Sequence, residues 1–201
     1  MDKRQVVSIH GGESFDTREE YLAWLNAQEI DLERGKTKGW KSSLQEELGD
    51  NYEVILPGMP NAFNASYEEW SIWFKKHLDV LDDTLILIGH SLGGVFLAKY
   101  LSEHDTGKRI LGTFLVAAPN SSEDADYSLA SFALPDSLDR FSEQGGRIQL
   151  YHSTDDTVVP FSDLARYQSA LPRAHASIFS DRGHFLQETF PELVEEIRLL
   201  G

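Results

Sequence analysis

Six short apolar or β-branched runs recur along the chain, "VVSIH", "YEVILP", "TLILIG", "ILGTFLVAA", "RIQLYHS" and "ASIFS". Turn residues and then helically spaced apolar positions follow them. Short apolar runs bounded by turn chemistry predict strands, and their alternation with helical patterns predicts βα units. Thr84 to Ile88 and Leu111 to Ala117 are apolar almost throughout. Strands of that kind have no solvent face, which fits a parallel sheet covered on both sides. The fold expected is α/β: a doubly wound, mostly parallel sheet with helices on both faces.

The spacing between runs is uneven. About forty residues separate the first two, with helical patterns at "TREEYLAWLNAQ" and "GWKSSLQEELG", which is more than one crossover requires. Residues 120–146, "NSSEDADYSLASFALPDSLDRFSEQGG", are polar, then aromatic, then broken by Pro135. They read either as a small cap over a site or as a solvated crossover with one helix. Pro191 opens a last helix in which Leu193, Val194, Ile197 and Leu200 share one face. At 201 residues the chain is long enough for one full core and short for two, so residues 1–201 are expected to form a single domain.

Composition narrows the chemistry. With no cysteine there is no disulfide framework, thiolate metal site or cysteine nucleophile. A formal charge of −15 works against nucleic-acid backbones and anionic membrane surfaces, so neither is an expected partner. The same charge mildly disfavours strongly anionic substrates at low salt, although a basic pocket overrides it within a Debye length of about 10 Å. No stretch approaches the roughly 20 apolar residues of a membrane span, and "MDKRQ" leads into the first strand without a signal-like core. A cytoplasmic location is expected.

The strongest chemical signal is "LILIGHSLGGVFLAKYL", an apolar strand running through G-x-S-x-G into an amphipathic helix. Gly89, Ser91 and Gly93 fill the pattern. A sharp strand-to-helix turn lifts the Ser91 hydroxyl out of the sheet, and the flanking glycines let neighbouring backbone pass closely. The Leu92 N–H then sits at a helix N-terminus, where developing negative charge is favoured. His90 precedes Ser91 and points away from it, as a packed structural histidine.

A serine hydroxyl is a weak nucleophile, so this turn calls for a histidine base and an orienting carboxylate, in the chain order Ser, Asp or Glu, His. That order is present: the pair Asp155 and Asp156 ends the "RIQLYHS" strand, and His184 lies in "DRGHF" after the last strand. Both follow strand carboxyl ends, where open α/β sheets place their sites. His10, His77, His104, His152 and His175 lack that combination of order and loop position. Successive residues at a strand end point to opposite sides, so only one of the two aspartates faces His184. No H-E-x-x-H or similar close spacing supports a metal site. For a second oxyanion donor, "SIHGGESF" offers Gly12, with Glu13 as the alternative.

These motifs resemble the α/β-hydrolases, and among them the small retinoblastoma-binding-protein-like serine hydrolases. The likeness rests on "LIGHSLGG", "STDDTVVP", "DRGHF" and "MPNAFNASYEEW", and runs from about Tyr52 to Phe190. It implies an α/β-hydrolase fold with a reduced cap. It also implies that the orienting carboxylate is Asp156, which stands three residues before Val159 and Pro160 in a D-x-x-V-P context; Asp155 is then an idle neighbour. The expected activity is hydrolysis of a small carboxylic ester, thioester or activated amide, with no cofactor or metal. The rival expectation is a silent member of the fold that serves as an interaction or ligand-binding module. Aromatic and sulfur side chains such as Phe15, Met59, Phe63, Trp70, Phe132, Phe161 and Phe185 are candidates for either pocket or core.

Overall fold

Each apolar run forms a strand, trimmed or extended by a residue or two at its ends: β1 (Arg4–Ile9), β2 (Tyr52–Ile55), β3 (Thr84–His90), β4 (Arg109–Val116), β5 (Arg147–Ser153) and β6 (His175–Phe179). The computed structural model describes residues 3–30, 38–123 and 125–200. The strands make one sheet in the order β2-β1-β3-β4-β5-β6, with every neighbouring pair parallel. Strand order reverses at β1, whose neighbours are β2 and β3. The crevice beyond the carboxyl ends of β1 and β3 is therefore the place where such sheets hold a ligand.

Side-chain alternation explains why both faces are covered. Val7 and Ile9 of β1 and Leu85 and Leu87 of β3 enter one core. Against them pack α3 (Tyr67–Leu78), α4 (Leu92–Glu103) and α6 (Ser162–Ala170). Val6, Ile86 and Ile88 enter the other core, under α2 (Trp40–Leu48) and α7 (Pro191–Arg198). A bulge interrupts β4: Leu85 pairs with Ile110 but Ile86 pairs with Gly112, leaving Leu111 unpaired. The extra residue flips the phase of the strand. It sends Ile110 and Leu115 to the first core, and Leu111, Phe114 and Val116 to the second.

The long first connection contains two helices of different character. α2 buries Trp40, Leu44 and Leu48, whereas α1 (Arg18–Ala27) buries nothing. Local devices support α1: Thr17 and Glu20 form a reciprocal capping box, and Trp24 packs its ring against Phe15 with centroids 5.5 Å apart. Within 120–146, where Asp124 lies outside the described residues, a 3-10 turn covers Ala130–Phe132 and α5 covers Asp139–Gln144. Leu129, Phe132, Leu138 and Phe141 of this segment are buried in the first core. Asp163 of α6, fully buried, accepts hydrogen bonds from the Asn120 N–H at 2.9 Å and the Tyr127 hydroxyl at 3.4 Å and pairs with Arg166 at 2.9 Å. A buried carboxylate with that many donors is satisfied rather than stranded. It ties the segment to α6. Among the described residues no helix is long and apolar enough to cross a membrane.

Candidate active site

Ser91 sits between β3 and α4 with φ 55° and ψ −126°, a conformation that costs a non-glycine residue about 1–3 kcal/mol. Its surroundings hold it there. The Ser91 N–H donates to Val116 O at 2.9 Å, and Ser91 O accepts from the Gly94 N–H at 2.8 Å. The flanking glycines are required by space: a Cβ on Gly89 would lie 2.4 Å from Gly93 O, and one on Gly93 would lie 2.5 Å from both Ile9 O and His10 O. These obstacles are backbone atoms that cannot rotate aside. Gly93→Ala is therefore expected to destabilise the protein by about 1–3 kcal/mol, read as a lower urea midpoint at unchanged m-value. An unchanged midpoint would contradict the close approach of α4 to the end of β1.

Leu92 and Gly12 line the same cleft as Ser91. The Leu92 N–H belongs to the first residue of α4 and has no acceptor within the helix. Gly12 lines the same cleft, and its amide donates to no group among the described residues. The neighbouring alternative is occupied, since the Glu13 N–H donates to Ala62 O at 2.8 Å. A Cβ on Gly12 would come within 2.7 Å of that same carbonyl.

The "MPNAFNASYEEW" stretch acts as scaffold for this loop. His10 donates from Nδ1 to Gly11 O at 2.6 Å and accepts the Met59 N–H on Nε2 at 2.9 Å, a pairing that sets its tautomer. Trp70 meets the His10 ring edge-on at 5.6 Å and donates Nε1–H to Pro60 O at 2.8 Å. Glu13 O accepts the Ala65 N–H at 2.8 Å. The loops after β1 and β2 thus hold each other in register beside Ser91.

The loop bearing His184 is tied at four successive residues. Ser153 Oγ accepts the Arg182 N–H at 3.1 Å, Asp155 Oδ1 accepts the Gly183 N–H at 3.0 Å, His90 Nε2–H donates to His184 O at 2.8 Å, and Trp40 Nε1–H donates to Phe185 O at 2.9 Å. Phe185 is fully buried in the second core. The His184 imidazole donates Nδ1–H to Asp156 Oδ2 at 2.9 Å. Because an ionised carboxylate only accepts, Nδ1 carries a proton, and in the neutral ring Nε2 presents a lone pair.

The two aspartates have separate partners. The Asp156 carboxylate is shielded from solvent, and its other oxygen accepts the Val158 and Val159 N–H groups at 2.8 and 3.1 Å. Burial works against its ionised form, but His184 and those amides outweigh burial and hold its pKa below the usual value. Asp155 is exposed and accepts from the Ser153 hydroxyl, which together with the Gly183 amide lowers its pKa. It braces the His184 loop without touching the imidazole.

Ser91, Leu92, Gly12 and His184 line one cleft of about 380 Å³; no hydrogen bond joins Ser91 to His184 in this resting geometry, a bond that often tightens only with substrate in place. A larger hollow of about 930 Å³ lies against Phe15, Tyr21 and Phe63 and contains none of these four residues. Chemistry, not size, points to the smaller cleft. Of the aromatic and sulfur candidates, Met59, Trp70, Phe132 and Phe185 are core, Phe15 and Phe63 line the larger hollow, and Phe161 stands edge-on to His152 at 5.6 Å.

Sequence reasoning overlooked Lys41 and Trp40, and it gave His90 no part in the site. His90 is buried, and burial, aided by Lys41 and His184, pushes its pKa well below the ordinary histidine value. It is therefore neutral, holding His184 O on one side and Lys41 Nζ at 2.9 Å on the other. No local signal marked these residues, since Lys41 and His90 are 49 positions apart and His90 and His184 are 94 apart.

The family model described as "Serine hydrolase" matches residues 30–199. The chain is 26% identical over 168 residues to serine hydrolase RBBP9 of Rattus norvegicus, covering 81% of this chain and 86% of that one. It is 26% identical over 192 residues to the putative hydrolase YdeN of Bacillus subtilis, covering 92% and 87%. The crystal structure of the B. subtilis ydeN product superimposes with a TM-score of 0.75 over 98% of both chains at 21% identity. That likeness shows the α/β-hydrolase fold.

Proposed function

The chain belongs to the serine hydrolase family, and from that premise we propose that it cleaves a small carboxylic ester, thioester or activated amide through an acyl-enzyme on Ser91. The observation that carries the reading is a shared cleft in which Ser91 stands on a strained turn and His184 is oriented by Asp156. Ser91 Oγ attacks the carbonyl while His184 Nε2 takes its proton. The oxyanion is held by the N–H groups of Leu92 and Gly12, each such donor being worth about 2.7–4 kcal/mol of barrier. Collapse of the tetrahedral species expels the leaving group, which takes the proton from His184. Water then attacks the acyl-enzyme, gives its proton to His184, and the proton returns to Ser91 as the acid leaves.

Asp156 keeps the imidazole in the tautomer that this cycle needs and stabilises the imidazolium. We read residues 120–146 as a small cap rather than a solvated crossover, because Tyr127, Ser128 and Leu129 form one wall of the cleft. The test is covalent labelling: a fluorophosphonate should modify the protein on the peptide containing Ser91, mapped by mass spectrometry. Intact protein that resists labelling would sink the reading and favour a silent binding module, and a label on another serine would remove Ser91 as the nucleophile.

A further inference from the structure

We propose that Lys41 makes the catalytic cleft a receptor for substrates that carry a carboxylate in addition to the scissile acyl bond. The inference rests on the hydrolytic reading above and names the substrate class for that same site.

Lys41 lines the cleft with Ser91 and His184. One of its three ammonium donors is used, on His90 Nδ1 at 2.9 Å, and its Nζ stands 4.8 Å from the centroid of the Trp40 ring. His90 cannot neutralise it, being itself uncharged and committed through Nε2–H to His184 O. Glu13 lines the same cleft and has a partner of its own, and no ion pair joins a carboxylate to Lys41 among the described residues. Burial without a counter-ion pulls its pKa from 10.5 down to about 8.

A desolvated ammonium with spare donors and no counter-ion is an unfavourable arrangement that an anion relieves. The surrounding charge of −15 does not prevent this, because within about 10 Å the nearby ammonium outweighs distant screened carboxylates. A substrate carboxylate on Lys41 forms a charge-assisted hydrogen bond, which the burial of the ammonium strengthens. Lys41 therefore acts twice: it holds the His90 tautomer that anchors His184, and it recognises charge.

The two roles separate in a selectivity ratio. The probes are mono-4-nitrophenyl adipate against its methyl ester, for a carboxylate on the acyl side, and 4-acetoxybenzoate against its methyl ester, for the leaving-group side. At pH 7 the wild type should favour the carboxylate member of at least one pair in kcat/KM by about ten- to a hundredfold, and Lys41→Met should bring that ratio near one. A purely positioning role lowers both members by the same factor, leaving the ratio intact, and overturns the inference. So does a wild type with no carboxylate preference in either pair.

Should Lys41→Met fail to fold, the wild type still decides. kcat/KM reports ionisations of the free enzyme, and Lys41 is charged below about pH 8 and neutral above it. The groups facing Lys41 are His90, already neutral, with His184 and Glu13 in the same cleft. His184 must be neutral to act as base on either member of a pair, so its ionisation cancels in the ratio, whereas Glu13 repels only the carboxylate member and works against the preference that Lys41 creates. The carboxylate preference should fade as pH rises through about 8; a ratio constant from pH 6.5 to 9.5 overturns the proposal. Turnover of the neutral esters alone sinks only the Lys41 inference, whereas absence of Ser91 labelling and of all turnover sinks the hydrolytic reading with it.

Discussion

Ser91→Ala is expected to lower kcat by roughly five to six orders of magnitude, leaving the unfolding transition nearly where it was. The turn at Ser91 is held by backbone hydrogen bonds from Ser91 N–H to Val116 O and from Gly94 N–H to Ser91 O, which alanine keeps. Alanine also keeps the Cβ, so the strain at φ 55° is unchanged. The hydroxyl makes no hydrogen bond among the described residues, so its loss removes chemistry and little else. Steady-state hydrolysis of a 4-nitrophenyl ester measures the rate, with a thermal melt beside it. A variant retaining more than about a hundredth of the wild-type rate would remove Ser91 as nucleophile.

Asp156→Asn should cost about 10⁴ in kcat, with Asp155→Asn far milder. The asymmetry follows from what each carboxylate meets. Asp156 Oδ1 accepts two backbone amides, so an asparagine there keeps its oxygen on them and turns its NH₂ toward His184. Two donors then face each other, and the imidazole relieves the clash by moving its proton to Nε2, where it can no longer accept from Ser91. Asp155 serves the Gly183 amide and the Ser153 hydroxyl through one oxygen, and an asparagine oxygen can do the same. Comparing kcat for the two variants on one ester checks the ranking. If Asp155→Asn proved the more damaging, the orienting carboxylate would be misassigned.

Much of the frame was legible from local pattern. Continuous apolar runs marked strands with no wet face, and the sheet indeed carries a core on each side. The glycines at 89 and 93 told of backbone passing closely, and Ile9 and His10 are the backbone that passes Gly93. The assignment of Asp156 over Asp155 rested on family likeness, because residue spacing established only that the two differ. The alternation could not show the bulge at Leu111: an extra residue is seen only against the partner strand.

What local pattern encodes is whatever depends on neighbours in the chain: strand and helix periodicity, the tight turn at Ser91, and the order of the candidate catalytic side chains. These follow from backbone sterics and solvent exclusion acting over a few residues. What only the folded arrangement decided is where distant groups meet. That the Glu13 N–H is taken up by Ala62 O, the observation behind proposing Gly12 as the second oxyanion donor, is visible only in the fold. The anchoring of His184 turned on Ser153, Asp155, His90 and Trp40 reaching one loop. The ammonium of Lys41 entered the cleft because α2 packs on the face of the sheet that His90 also uses. Such hydrogen bonds and desolvation energies exist only once the sheet has brought the loops together, so no window of sequence carries them.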